Sequence, residues 1–233
     1  MMHHQDSRGT LNNNSAPAVV IFGNLRFAQL AHYCLVHDSP WKVAGFTVDA
    51  AYRKGDEFDG LPLVDFETLE SSYPPGEVRL LIPTGYQRIN GLRRSRYETA
   101  KARGYQFVSY LSSRASVWPD LRPGENCLIY EHAIVQPFTT IGDNVTIRSG
   151  AHVSHHCRID SHAFISAEVA MAGGTHVGEQ AFIGVGAVLK DGLRVAPRSF
   201  IGAGAVVVRD TEEGAAYVGN PARRLRKQAH ELC

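Results

Sequence analysis

The chain has 233 residues, room for one large domain or two small ones. With 24 Lys and Arg against 23 Asp and Glu the formal net charge is +1, which argues against a polyanion binder that would need many unmatched cations. Hydrophobic residues make up 44%, too many for a disordered chain, and no run approaches the roughly 18 apolar residues of a membrane span.

The first stretch, MMHHQDSRGTLNNNSAP (1–17), is polar and has no apolar core, so it reads as a disordered tail and not as a signal peptide. Residues 18–113 alternate between strand and helix patterns. Ala18–Gly23 (AVVIFG) reads as a buried strand, Leu25 to Val36 has helical spacing, and Trp41–Asp49 is a second strand. Leu61–Phe66 is a short strand or turn whose DFETLE continuation opens a short helix with Asp65 as N-cap. Val78–Gly85 is a third long strand, Arg88 to Ala102 is helical, and Tyr105–Leu111 is again a strand. This alternation predicts a small, Rossmann-like parallel α/β sheet. Ligands of such sheets sit beyond the carboxyl ends of the strands, here Gly23-Asn24-Leu25-Arg26, Asp49 and Thr84-Gly85-Tyr86. Gly23 to Ala28 keeps only the first glycine of a dinucleotide loop. Two readings stand: a tight strand-to-helix turn, or helix N–H groups with Arg26 holding a phosphate or carboxylate. Asp49 either bonds a ribose or sugar hydroxyl or caps a loop. The four cysteines (Cys34, Cys127, Cys157 and Cys233) form no CxxC, as expected of buried or incidental thiols in a reducing cytosol.

The second half has a period of six. Ile129, Val135, Ile141, Ile147, Val153, Ile159, Ile165, Met171, Val177, Ile183, Leu189, Val195, Ile201 and Val207 are all aliphatic or Met, and Val117 extends the phase backwards. Small or compact residues precede them by two, and Gly142, Gly178, Gly184 and Gly202 follow them by one. Neither a period of 3.6 nor a period of 2 selects every sixth residue. Hexapeptide repeats build a parallel β-helix with three short faces per coil of about 18 residues. That geometry predicts one ladder of Ile129, Ile147, Ile165, Ile183 and Ile201, and a second of Val135, Val153, Met171, Leu189 and Val207. Each buried side chain contributes roughly 1.5–3 kcal/mol, and glycine is expected at turns for its backbone freedom.

An α/β unit followed by hexapeptide repeats, with VSHHCRIDSH in the middle coils and YVGNPARRL at the end, resembles one family. It is similar to the bacterial nucleotide-sugar acyltransferases of the PglD/NeuD type, relatives of bacillosamine N-acetyltransferases and sialic-acid O-acetyltransferases. The resemblance covers about residues 18–228. It implies an α/β substrate domain (18–113), a left-handed β-helix acyltransferase domain (114–208) and a C-terminal cap (209–233). It implies acetyl-CoA as acyl donor, no metal, a nucleotide-linked amino sugar as acceptor, a homotrimer and a cytoplasmic role in surface-glycan (lipopolysaccharide or O-antigen) biosynthesis, with no nucleic acid or membrane partner. Matched on Val153, Cys157 and Ile159, the family's catalytic base falls on His155, with His156 sharing or replacing the role. The acidic neighbours of relatives are Ser154 and His156 here, and a following Gly is Asp160. Gly173, beside Gly174, matches the oxyanion donor. Val185, Ala203, Gly219, Asn220, Pro221 and Ala222 match positions along CoA, and Arg223, Arg224, Arg226 and Lys227 are candidates for its 3′-phosphate or else a solvated cap. Gly23, Asn24, Leu25, Arg26, Asp49, Gly85 and Tyr86 match the nucleotide-sugar side, and Asn90 and Arg93 match a shifted Gly-x-Asn-x-x-Arg segment.

The chemistry suits histidine, because imidazole ionises near neutral pH and takes the proton that an attacking amine or hydroxyl must lose. The missing acidic neighbour favours an amine over a hydroxyl acceptor, with O-acetylation as the alternative. Two other classes stay open: a zinc carbonic anhydrase, using the histidines at 132, 152, 155, 156, 162 and 176, and a solenoid that binds a sugar nucleotide without turnover.

Overall fold

The computed structural model describes residues 17–232. The expected tail, but for Pro17, and Cys233 lie outside the described residues. The α/β unit contains β1 (Ala18–Phe22), α1 (Arg26–Asp38), β2 (Val43–Val48), β3 (Glu57–Phe58), β4 (Leu61–Asp65), β5 (Val78–Leu81), α2 (Gly91–Ala102) and β6 (Gln106–Phe107). Its sheet order is β3-β4-β2-β1-β5-β6, parallel throughout except for the β3–β4 hairpin. β1 is central, and its residues alternate between two cores as strand geometry requires. Val19 and Ile21 pack with Ala28, Ala31 and Leu35 of α1. Val20 and Phe22 pack with Phe66, Leu69, Tyr97 and Ala100 on the other face. Asp65 stands at the N-cap of a short 3-10 helix but makes no side-chain cap; its carboxylate pairs with Arg53 at 3.3 Å.

The stretch Tyr105–Leu111, expected as one strand, is divided. β6 closes the α/β sheet, whereas β7 (Tyr110–Leu111) pairs with Leu128–Ile129 and begins the β-helix. From there to Val207 every strand is two residues long, and each up to Val188–Leu189 pairs with the strand 18 residues on, as Thr146–Ile147 does with Phe164–Ile165. Three faces result. The first runs through Leu128–Ile129, Thr146–Ile147, Phe164–Ile165, Phe182–Ile183 and Phe200–Ile201. The second runs from Ser116–Val117 through Ile134–Val135, His152–Val153, Ala170–Met171 and Val188–Leu189 to Val206–Val207. The third holds Thr140–Ile141, Arg158–Ile159, His176–Val177 and Arg194–Val195. Both expected ladders form, and a third runs through Ile141, Ile159, Val177 and Val195. All are buried in one continuous core.

Glycine follows the aliphatic positions for a reason other than the backbone freedom expected of it. Gly142, Gly178, Gly184 and Gly202 are not the residues with left-handed backbone. That conformation recurs three residues after each aliphatic position from Ile129 to Ile201, at His132, Phe138, Asn144, Gly150, His156, His162, Glu168, Gly174, Gln180, Gly186, Gly192, Arg198 and Gly204, and at Asn126 in the same phase. The glycines next to the aliphatic positions serve coil stacking instead. A Cβ on Gly184 would lie 2.6 Å from the Ala203 nitrogen, and one on Gly142 2.7 Å from that of Ser161.

The two units share a buried polar seam. At the corner between the third and first faces, Asn126, Asn144 and His162 stack one coil apart. Ile82 N–H donates to Asn126 Oδ1 (2.8 Å), Asn126 Nδ2 to Asn144 Oδ1 (2.7 Å), and Asn144 Nδ2 faces His162 Nδ1 (2.8 Å). Arg93 of α2, fully buried, donates to the carbonyls of Asn144, His162 and Ala163 and to Thr146 Oγ1 at 2.7–3.1 Å. Burial holds its guanidinium down to about 10. Asn90 donates to the Gln180 and Ala181 carbonyls. Asn90 and Arg93, matched above to a substrate segment, are therefore joints between the two units.

Candidate active site

The corner between the second and third faces is the turn from Ser154 to Cys157. Cys157 points inward and is 1% exposed, whereas both histidines are exposed. His155 is held at its backbone, where its N–H donates to Gln136 Oε1 at 3.0 Å. Its Nδ1 lies 3.0 Å from Nδ1 of His156, with the rings nearly perpendicular at 85°. The His156 ring lies against Phe138 from the coil below, centroids 4.7 Å apart.

Gly173 stands one coil above His155. A Cβ there would lie 2.6 Å from His155 Cε1 and 3.0 Å from Nε2. No real Cβ approaches so closely, so the imidazole edge occupies the space that any larger residue would need. Gly173 N–H donates to no backbone acceptor among the described residues, while its carbonyl accepts from Gly192 N–H at 2.9 Å. An open imidazole and a free N–H at one turn are the two groups that general-base acyl transfer requires.

Asp160 is engaged away from this corner. It accepts from Arg158 Nε and pairs with His176 Nε2, both at 2.7 Å. Burial would raise its carboxyl; those two bonds hold it below the ordinary range. Neither its contacts nor those of any other carboxylate among the described residues include His155.

The positions matched to CoA lie at a different corner. Val185 and Ala203 follow strands of the first face and precede strands of the second, and Val185 is 54% exposed. Gly219-Asn220-Pro221-Ala222 turns at the same edge, tied to it by Val206 N–H to the Gly219 carbonyl and Ala222 N–H to the Val206 carbonyl. The Asn220–Pro221 peptide is cis. Arg223 and Arg224 are exposed on the final strand, and Arg224 pairs with Glu212 at 2.7 Å.

At the strand ends of the α/β unit, Gly23 (φ 117°) makes a turn that a residue with a Cβ would strain, and its N–H bonds the Thr47 carbonyl at 2.7 Å. Asn24 Nδ2 bonds the Tyr52 carbonyl. Leu25, 72% exposed, occupies the N-cap of α1 without a capping side chain, and Arg26 is exposed in the first turn. Gly85 lies against Phe27, whose Cε2 would be 3.1 Å from a Cβ there, so the two loops meet. Tyr86 packs on Phe182 and Phe164 of the first face. Asp49 makes no side-chain cap; it is 7% exposed, and Arg96 grips both its oxygens at 2.7 and 2.8 Å. That pair spans 47 residues, and nothing local in the sequence signals it. A groove of about 320 Å³ lined by Gln29, His32, Tyr33, Val36, His37 and Asp59 contains none of these residues. Among the described residues no group of three or more His, Cys, Asp or Glu could hold a metal ion, and no helix is long and apolar enough to cross a membrane.

Comparisons with known proteins bear on this arrangement. Residues 124–155 match the family model described as bacterial transferase hexapeptide (six repeats). No curated protein sequence gives a significant match. Among solved structures, PerB from Caulobacter crescentus in complex with CoA and GDP-perosamine is 30% identical over 91% of this chain and 98% of its own, with a TM-score of 0.81. The acetyltransferase domain of PglB from Neisseria gonorrhoeae FA1090, in complex with acetyl coenzyme A, is 25% identical over 91% of this chain and 100% of its own, with a TM-score of 0.80. WeeI from Acinetobacter baumannii AYE, 22% identical over 90% of this chain and 100% of its own with a TM-score of 0.59, shares the fold. With its period of six, its β-helix and its likeness to PerB over nearly the full length of both, this chain belongs to the left-handed β-helix, hexapeptide-repeat sugar acetyltransferases of the PglD and PerB type.

Proposed function

We propose that the protein transfers an acetyl group from acetyl-CoA to the amine of a nucleotide-linked amino sugar, with His155 as general base and the Gly173 N–H as oxyanion donor. One observation carries this reading: the His155 imidazole occupies the space above which only glycine fits, at position 173. The amine nitrogen attacks the thioester carbonyl, its proton passes to His155, and the C–S bond breaks as the amide forms. The Gly173 N–H meets the negative charge that develops on the carbonyl oxygen, a donor of a kind worth roughly 2.7–4 kcal/mol elsewhere. PerB, bound to CoA and GDP-perosamine, and the PglB domain, bound to acetyl coenzyme A, support this choice of donor and acceptor.

The acceptor's nucleotide belongs at the strand ends, among Gly23, Asn24, Leu25, Arg26, Gly85 and Tyr86. The uncapped first turn of α1 with Arg26 suits a pyrophosphate. The Thr84 hydroxyl beside Gly85 has no partner among the described residues, which favours a polar ligand there. Asp49 reaches a ligand only by releasing Arg96.

The pantetheine belongs along Val185 and Ala203, with the adenine end at Gly219–Ala222 and Arg223 or Arg224 meeting phosphate. In one chain these positions occupy one edge of the prism and His155 another, with the second face between them. That face presents Ile134, Ala170, Val188 and Val206 outward, with Ile134 36% and Val188 42% exposed. A homotrimer joined through this face would bring the CoA edge of one copy to the His155 edge of the next. The role is in surface-glycan biosynthesis in the cytoplasm. The test is purified protein with acetyl-CoA and GDP-perosamine as probe, followed by CoA thiol release and mass spectrometry for one added acetyl group. A panel of other amino-sugar nucleotides then fixes the nucleotide. Thiol release with none of them sinks the reading, and an ester product moves it to O-acetylation.

A further inference from the structure

The ring nitrogens of His155 and His156 face each other at 3.0 Å, Nδ1 to Nδ1. Only one proton fits between two such nitrogens. With none, two lone pairs repel; with two, both are donors and neither accepts. The pair therefore has a direction, and the direction decides whether His155 can act. If His156 donates, His155 carries its own proton on Nε2, the atom beside Gly173, and has no lone pair there to offer. If His155 donates, its Nε2 is bare.

We propose that His156 is a positioning residue: its Nδ1 accepts the Nδ1–H of His155 and thereby keeps the His155 Nε2 lone pair free to take the acceptor's proton. This rests on the acetyl-transfer reading above. Three features support it. Phe138 lies against the His156 ring and limits its rotation. The Gln136 bond to the His155 backbone fixes where the donating ring starts. Gly173 lies over the Nδ1–Cε1–Nε2 edge of His155, nearest Cε1, and so holds the ring with Nδ1 facing its neighbour. When the amine attacks, the C–N bond forms, its proton moves to Nε2, and the thioester C–S bond breaks. The proton then passes from Nε2 to the CoA sulfur. In between, His155 is a cation whose Nδ1–H donates to a neutral imidazole, a charge-assisted bond.

The neighbouring groups leave this role to His156. The coil below contributes Gln136, Pro137, Phe138 and Thr139, and the coil above Ala172, Gly173, Gly174 and Thr175, none of them ionisable near neutral pH. On the flanking strands, His152 is half-buried on the second face, and Arg158 is held by Asp160, which His176 also engages. A proton taken up anywhere on the pair removes the free lone pair, since a cationic His156 must donate towards His155.

The test combines three variants with one spectroscopic measurement. His156→Ala should lower kcat about 10-fold or more, part of what a general base supplies, with KM for acetyl-CoA unchanged. His156→Asn keeps a side-chain acceptor and tolerates the left-handed backbone (φ 57°), so it should restore kcat to within about 3-fold. His156→Glu puts a negative charge beside the imidazolium, so the acid limb of the kcat–pH profile should move to higher pH. Nitrogen-15 spectra of the histidine rings in the free protein should show His155 Nδ1 protonated and Nε2 bare. The spectra need no substrate, so they decide the proton arrangement even if the acceptor class is wrong. A proton on Nε2 in the neutral protein would overturn the proposal. So would an active wild type whose kcat and pH profile survive His156→Ala unchanged, which leaves the acetyl-transfer reading intact.

Discussion

His156 and His162 occupy the same repeat position at successive corners, with φ of 57° and 66°. Their chemistry differs completely. His156 is exposed and faces another imidazole. His162 is 7% exposed beneath the α/β unit, and its Nδ1 faces the Asn144 amide. Burial, with Arg94 and Arg93 nearby, pushes its pKa down to about 4. The repeat supplies identical backbone; what covers each corner decides whether the imidazole is a joint or a working group. The Asn144 amide nitrogen is itself a donor in the seam that starts at the Ile82 N–H, so His162 Nδ1 must accept and the ring stays neutral.

The largest effect expected is at the open corner. His155→Ala should lower kcat by about 10²- to 10⁴-fold while leaving the urea midpoint in place. A variant that keeps its rate would move the chemistry away from this corner. At the covered corner the opposite pattern is expected. Arg93→Ala strands the Asn144 and His162 carbonyls and the Thr146 hydroxyl, the Ala163 carbonyl keeping the Thr146 N–H, so chemical denaturation should show a loss of about 3–5 kcal/mol, and KM for acetyl-CoA in whatever remains folded should be normal. A loss below about 1 kcal/mol would show that the seam holds little.

His162 predicts a pH dependence with a definite sign. Its pKa is lower folded than unfolded, so the unfolded chain binds the extra proton. The contribution is fully present above about 6.5, the unfolded value, and is lost as pH falls towards about 4. At most this amounts to roughly 3 kcal/mol, and His162→Gln should flatten the stability–pH curve across that window. An unchanged curve would mean the buried ring is not what titrates.

Gly173→Ala gives the smallest and most specific effect. The residue is not in the left-handed region, so the added methyl strains no backbone; it only displaces the imidazole. A displacement near 1 Å is worth about 10²-fold in rate, with thermal stability nearly unchanged. A lost fold with no loss of specific activity would make Gly173 a packing residue only.

The aliphatic ladders were legible because the repeat writes them locally: Ile129 and Ile147 face inward for the same reason, 18 residues apart. The reason for the glycines was not. Which turn residue takes the left-handed conformation depends on the corner geometry, and Phe138 and Gln180 adopt it alongside Gly150. The α/β unit was readable in its strands but less so in its polar groups. Asp49 with Arg96, and Asn90 and Arg93 with the β-helix, are contacts across 47 to 91 residues with no periodic signature. A one-dimensional reading sees neither the α2 arginine that holds Asp49 nor the β-helix carbonyls that Asn90 and Arg93 reach. His155 is singled out in the sequence by its segment, whereas its closeness to Gly173 follows from the coil length.

The last strand, Arg223–Gln228, runs antiparallel to Ala215–Val218 and ends the first face. Solenoid coils present an unfinished edge at their tips, and identical molecules could in principle queue there tip to tail into a fibre. A reversed, arginine-rich strand blunts that template, since an incoming coil would meet the wrong strand direction and like charge. The stack is thus closed by the chain's own last strand, in an architecture that is in principle open-ended.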